Sequence, residues 1–538
     1  MRHGGQILVD QLEIQGVDRV FCVPGESYLA ALDGLFDSKI ETIIGRQEGG
    51  VAMMAEAHGK LTGRPGVAFV TRGPGATNAS AGVHIALQDS TPMMLFIGQV
   101  ATDQRDREAF QEVDYRQMFT PLVKWVAEID RTDRIPEYIS HAFHVAMSGR
   151  PGPVVLALPE DILSSMADVA DSTPANPARQ TVSQNAVSEV IDRLKVARNP
   201  MVIVGGGGWS DQAAKDLGSF AAALGLPVGT SFRCQDYIDN RHPNYVGDVG
   251  IAPNPELATL VAKSDCILVL GARLGEMTSG GYELFDTPNP RQKIIHIHAD
   301  PNEIGRVYRP EIGLACQSAE FLSTAIDLTA GQSAAPPAAP RAAYERWQQP
   351  FQTPGAVKME QVITHASEVL PHDAIITNGA GNYAGWQHRY YCYKSYRTQL
   401  APTSGSMGYG LPAAVAAKLA NPSKEVICFA GDGCFQMTMQ EFGTAAQYGA
   451  KVIVIVVNNG VYGTIRMHQQ RSYPERPSGT TLQNPDFAGL AQCYGGYGEH
   501  VYKTEEFPAA LARARAASTS AIIELHTDPS AVSPRTAG

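Results

Sequence analysis

The chain has 538 residues, 44% hydrophobic and 18% charged, with a formal net charge of −11 and a pI near 5.7. That length exceeds what one hydrophobic core spans, and the net acidity, with no basic cluster to offset it, argues against a generic nucleic-acid or anionic-membrane binder. The eight cysteines (22, 234, 266, 316, 392, 428, 434 and 493) include no CxxC pair, which predicts a reduced cytoplasmic protein and neither a disulfide scaffold nor a zinc site.

The chain opens on "MRHGGQILVDQLEIQGVDRVF", where charged and apolar residues alternate, so it reads as folded sequence and not as a signal peptide. No run reaches the apolar length of a membrane span. In "IIGRQEGGVAMMAEAHGKLTG" a short strand leads to Glu48 at a helix start; taken alone, a glutamate there is a solvated N-terminal carboxylate. "GVAFVTRGPGATN" and "PMMLFIGQV" continue the alternation of strand and helix. "DSTPANPARQTVSQ" (171–184) is rich in Pro, Ala, Ser and Thr and reads as a linker. Beyond it, "MVIVGGGGWS" places glycines 205–208 at a strand-to-helix turn, yet Ser210 stands where a dinucleotide fingerprint needs a third glycine. A tight structural turn is the expectation there. After "DCILVLGARL" comes a second linker, "TAGQSAAPPAAP" (329–340). Three doubly wound α/β domains with parallel sheets follow from this pattern: 1–170, 185–328 and 341–538. The two outer parts share a strand running into a Gly-rich turn that opens a helix, whereas the middle part reads as Rossmann-like.

The third part carries the chemistry. Two apolar runs, 426–429 and 452–457, read as buried parallel strands, with "MTMQEFGTAAQYG" as the crossover helix between them. Asp432 and Asn459 stand just beyond the two strands, 27 positions apart, where an open α/β sheet places ligands. A hard cation such as Mg²⁺ takes a carboxylate, neutral oxygens, water and phosphate oxygens. Asp432 offers the carboxylate, Asn459 an amide oxygen and Val461 a backbone carbonyl. Gly431 and Gly433 let backbone approach a phosphate, and the amides of Gly433 and Cys434 at a helix start favour an anion. Separately, Asp432 is an ordinary N-cap and "NNG" an ordinary turn; together they point to a diphosphate held through magnesium.

The GDG…NN pair resembles the thiamine diphosphate motif, and Glu48 falls in a stretch similar to that family's RHEQGA. "FCVPGESY", "FVTRGPGATN", "LFIGQV", "AFQE", "LVKW" and "SGSMGYGLPAA" follow in the order seen in acetohydroxyacid (acetolactate) synthases. The resemblance implies that Glu48 shares a proton with the cofactor's aminopyrimidine ring, in general acid–base work. It implies that Met407 props the cofactor's bend, that the Gly405 carbonyl accepts from its amino group, and that Asn78, Gly381, Asn382 and Tyr462 complete the cofactor site. Because one outer domain holds the pyrimidine and the other the diphosphate, across two chains in the family, a homodimer is implied, or a tetramer built from it.

The implied reaction is decarboxylation of a 2-oxo acid such as pyruvate, followed by transfer of the acyl unit to a second carbonyl. Similar decarboxylases often carry an acid in the helix after NN to protonate that unit, and here Ile465 stands in its place. Gly25, Phe110, Gln111 and Lys124 match positions near the synthase substrate channel, although Lys124 alone reads as a surface cation. Four residues depart from the synthase pattern. Thr464 replaces a methionine and His468 an acceptor-selecting tryptophan, while Glu26 replaces a glycine and Arg72 a serine. An acid and a base at those places either pair with each other or bind a charged substrate. The middle part reads "GARLGEMTSGG" and lacks the acidic pair and second arginine of synthases that hold FAD, which leaves FAD doubtful. Another decarboxylase, an aldehyde lyase, a pyruvate oxidase and a catalytically silent relative remain alternatives.

Overall fold

The structure, a computed structural model, describes residues 1–534. It contains three six-stranded, all-parallel sheets. In the N-terminal domain the strands are Arg19–Cys22, Glu41–Ile44, Gly66–Val70, Met93–Gln99, Trp125–Glu128 and Pro153–Pro159; numbered in chain order, they stand 2-1-3-4-6-5. The C-terminal domain has the same order, 2-1-3-4-6-5, built from Ile375–Asn378, Gln399–Leu400, Val426–Gly431, Ile453–Asn458, Tyr497–Val501 and Ala521–His526. The central sheet, from Pro200–Val204 to Ile312–Leu314, runs 3-2-1-4-5-6, the Rossmann order. The kinship of the two outer parts, and the difference of the middle one, are thus properties of the topology. Among the described residues no helix is long and apolar enough to cross a membrane, and all eight cysteines are free.

Two details differ from the sequence pattern. The crossover after Asp432 is broken into helices Asp432–Gln436 and Glu441–Gln447, with a turn between them. The second linker ends in a helix, Ala338–Trp347, that packs on the central domain. There the Tyr344 ring meets Tyr245 edge-on at 5.0 Å, and Arg341 donates to the carbonyl of Asn240.

The outer domains meet through the helix Glu48–Thr62, which is covered by Pro74–Asp89 of its own domain and by Gly410–Ala420 of the C-terminal domain. Small residues make the close approach possible: a Cβ on Gly82 would lie 2.5 Å from that of Ala52. Ala413, Ala414, Ala416 and Ala417 are fully buried on the facing helix. One continuous apolar core therefore spans both outer domains.

That seam buries charge as well. Glu56 is fully buried, accepting from Thr91 Oγ1 at 2.7 Å and, across the domain boundary, from the Tyr409 hydroxyl at 2.5 Å. Beside it Lys60 donates to Asp89 at 2.7 Å and to the Ala401 carbonyl at 2.8 Å. Burial pushes the Glu56 carboxyl up to about 7, with Asp89 adding to the rise and Lys60 opposing it. Since this lies above the unfolded value of 4.5, the stability Glu56 contributes is full below pH 4.5 and is lost as pH rises through about 7. Glu56→Gln is expected to remove that decline: the Tm difference between variant and wild type should move in the variant's favour across the window. Two melting curves that stay parallel over it would refute the assignment.

Candidate active site

Asp432 follows the strand Val426–Gly431, which pairs with Ile453–Asn458 so that Gly431 lies opposite Val457. The sheet thereby brings Asp432 and Asn459 to one edge. Asp432 is 3% exposed. Its Oδ1 accepts from the Gly433 amide at 2.8 Å, and its Oδ2 from the Gly460 amide at 2.8 Å and from Asn484 Nδ2 at 2.7 Å. All three donors are neutral. Burial raises the carboxyl's pKa and these donors counter the rise, so a charged Asp432 is well solvated by dipoles yet has no cation among them. Asn459 turns its Oδ1 to the Val461 amide at 3.1 Å. Val461 itself forms a bridge to Thr481, and the Tyr462 amide donates to the Thr480 carbonyl at 2.9 Å, which fixes the turn after the strand. The donors offered here are all oxygens, which fits Mg²⁺.

The glycines next to this carboxylate admit aromatic rings. A Cβ on Gly433 would lie 2.4 Å from the Tyr462 ring, and one on Gly431 2.9 Å from Tyr383. Gly381, with φ of +145°, also rests on Tyr383. Cys434 is buried and its Sγ accepts from the Gly408 amide at 3.2 Å and the Tyr383 hydroxyl at 3.4 Å. This sulfur ties the Met407 turn to the Asp432 helix. Met407 packs on the C-terminal core, while Gly405, at φ +69°, has open space where a Cβ would be. The chain thus leaves room beside Gly405 for another molecule. Asn382 receives the Thr464 hydroxyl at 2.8 Å and donates to the Val532 carbonyl at 2.7 Å and to the Met467 sulfur at 3.7 Å, so both of its amide protons already have acceptors within the chain. Thr464, Ile465 and His468 lie on the helix Gly463–Ser472, none of whose residues is buried; Ile465 is 53% exposed.

Glu48 occupies the first turn of its helix, which Gln47 caps by accepting from the Gly50 amide at 3.1 Å. Its Oε2 accepts from Asn78 Nδ2 at 3.0 Å, and Gly75 stands close to the other oxygen. Glu48 and Asn78, both predicted, therefore form one unit within the N-terminal domain. The two residues before Glu48 dock on the C-terminal domain: the amides of Arg46 and Gln47 donate to the Glu441 carboxylate at 3.0 and 3.1 Å.

Near the Gly25 turn, Arg72 resolves the question of the added acid and base. It is 8% exposed, pairs with Glu26 at 3.4 Å and with Glu160, and donates to the Phe110 carbonyl at 3.1 Å. Gly25 packs on Thr71, and Gln111, at φ +65°, sits against Gly73, so these predicted positions cluster. Phe110 turns its side chain outward, 72% exposed. Lys124 stands apart from this group: its ammonium donates to the Val145 and Ser148 carbonyls at the end of the helix Ile135–Met147. Burial pushes it down to about 8. Three residues absent from the sequence reading join the site or its border: Asn484, Glu441 and Glu160. Each lies in a loop or short helix with no spacing signal of its own.

In the central domain the glycine turn is filled by the protein's own groups. The Gly206 carbonyl accepts from the Tyr237 hydroxyl at 2.5 Å, Gly208 rests on Gln317, and Ser210 caps the following helix, whose first residue is Asp211. A phosphate meets a capped, acidic helix start there. A cavity of about 370 Å³ opens where the three domains meet, bordered by Lys60, Asp89, Arg273, Glu276 and Gly405.

The match to known proteins covers the chain in three parts. Residues 2–118 match the thiamine pyrophosphate enzyme N-terminal TPP binding domain, 187–324 the central domain and 379–525 the C-terminal TPP binding domain. The acetolactate synthase isozyme 2 large subunit of Escherichia coli is 31% identical over 523 residues, 95% of this chain and 92% of the relative. The acetolactate synthase large subunit of Corynebacterium glutamicum is 32% identical over 534 residues, 95% and 84% of the two chains. That of Haemophilus influenzae is 30% identical over 535 residues, 95% and 92%. With all three domain types in order and such relatives matched over nearly their whole length, the chain belongs to the thiamine diphosphate-dependent enzymes, in the family of the acetolactate synthase large subunits.

Proposed function

We propose that this enzyme decarboxylates a 2-oxo acid, pyruvate in the first instance, and joins the acyl unit to a second carbonyl, with Mg²⁺ anchoring the cofactor's diphosphate. The observation that carries the reading is the buried Asp432 carboxylate, held by three neutral protein donors, at the same end of the sheet as Asn459, which follows the neighbouring strand. Asp432, Asn459 and the Val461 carbonyl would hold the Mg²⁺ that anchors the diphosphate, since all three offer oxygen ligands. The bound thiamine group supplies a carbon nucleophile for the substrate carbonyl. Glu48 would hold a proton at the aminopyrimidine nitrogen, with Asn78 fixing its carboxylate. Met407 would set the cofactor's bend, and the space beside Gly405 would admit the ring.

Ligation is favoured over simple decarboxylation by Ile465, which offers no proton where a decarboxylase carries an acid. The Glu26–Arg72–Glu160 cluster would border the substrate channel, with Arg72 engaged by its own two carboxylates and by the Phe110 carbonyl, so that it would shape the channel wall. Glu48 lies in one outer domain and Asp432 in the other, and the resemblance to a family that joins these two domains across chains carries the further step to active sites shared within a homodimer. The free cysteines fit work in the cytoplasm, and no step of this reading uses a flavin. Proton NMR of products formed from pyruvate with thiamine diphosphate and Mg²⁺ tests it: acetolactate is expected, two pyruvates disappearing per CO₂. Acetaldehyde at one pyruvate per CO₂ would replace it with a decarboxylase.

A further inference from the structure

We propose that His500, Glu524 and His526 form a binding site for a zinc-class divalent metal ion, separate from the magnesium position. The strands Tyr497–Val501 and Ala521–His526 are parallel neighbours with His500 opposite Glu524, and His526, two residues beyond Glu524, projects to the same face. The His500 Nδ1 and His526 Nε2 atoms are 3.1 Å apart. Glu524 Oε2 lies 3.5 Å from the first nitrogen, and Oε1 3.7 Å from the second. A tetrahedral zinc ion with bonds of about 2.0–2.1 Å keeps its ligand atoms about 3.3 Å apart, so the three groups stand nearly at ligating separation. A hydrogen bond between the two rings explains their own spacing, but not the carboxylate that both nitrogens also approach.

The surroundings are those of a supported metal site. The other nitrogen of His500, Nε2, lies 3.2 Å from Asp486 Oδ1, an arrangement in which a carboxylate fixes the tautomer and raises the ligand's basicity. Glu524 is 1% exposed and is anchored by Asn458 Nδ2 at 2.7 Å and by the amides of Phe487 and Ala488 at 2.9 and 3.2 Å. The Tyr502 ring stacks on His526 at 4.3 Å and 7° and fixes its plane. Both histidines keep about a third of their side-chain surface open to solvent (34% and 33%), which gives an ion a way in and leaves a position for water. Two imidazoles and one carboxylate select zinc, cobalt, nickel or copper over magnesium. The site is tied to the Asp432 carboxylate, because the Asn458 Oδ1 accepts from Asn484 at 2.8 Å and Asn484 also holds Asp432.

The test is a zinc titration of the full enzyme saturated with thiamine diphosphate and Mg²⁺, read against a chromophoric chelator. One tight equivalent per chain is expected, falling at least about 100-fold in affinity in His500→Gln/His526→Gln. Cobalt(II) should give a tetrahedral visible spectrum in the wild type that the double variant lacks. Asp486→Asn, which keeps all three ligands, should weaken zinc about 10-fold, and guards against a double variant that misfolds. Equal zinc uptake by the wild type and both variants, or no tight equivalent in the wild type, would overturn the site.

Discussion

Asp432→Asn is expected to weaken thiamine diphosphate binding in Mg²⁺ by more than about 100-fold and to abolish turnover, since replacing even a residue behind a metal ligand costs about 10–100-fold. The side chain keeps its volume, so the effect isolates the charge. The carboxylate accepts from Gly433, Gly460 and Asn484, all neutral, and an amide would turn a donor toward one of those donors while presenting the metal with a weaker ligand. Isothermal titration of the cofactor with and without Mg²⁺ measures the loss. An affinity within about 3-fold of wild type would remove Asp432 from the metal site.

Glu48→Gln should divide the two properties that Asp432→Asn destroys together. Activity is expected to fall by about 10²–10⁴-fold, the usual size of a general acid–base contribution, while cofactor Kd stays nearly unchanged. The glutamine keeps the helix start and an oxygen for Asn78, and the cap by Gln47 does not involve the changed group. Stopped-flow turnover and cofactor titration on one preparation give both numbers. Full turnover in the variant would end the assigned role.

Much of this site was readable because parallel interior strands are near-continuous apolar runs, so that Val426–Phe429 and Val452–Val457 announced both the sheet and the residues just beyond it. Glu48 gained meaning only from the longer stretch around it. Asn484 was illegible: "LQNPDF" is an ordinary loop, and only tertiary docking turns its amide toward Asp432. Glu441 and Glu160 were hidden for the same reason, as their partners lie hundreds or tens of residues away, at Arg46 and Arg72. Lys124 carries a motif position yet engages the end of a helix, because its stem, lying along Gly152, brings its ammonium to the carbonyls there. The helix Ala338–Trp347 was masked by proline-rich composition, although its alanines and arginines favour a helix and Tyr344 gives it a face to bury.

The account's central claim is that Glu48 and Asp432 belong to one active site, contributed by two chains. Co-expression of Glu48→Gln and Asp432→Asn subunits under different tags, followed by isolation of the hybrid, tests it most directly. A hybrid dimer of shared sites carries one doubly damaged site and one intact site, so acetolactate production at about half the wild-type rate per dimer is predicted from two inactive parents. A hybrid as inactive as either parent would contradict it and place the whole site within a single chain.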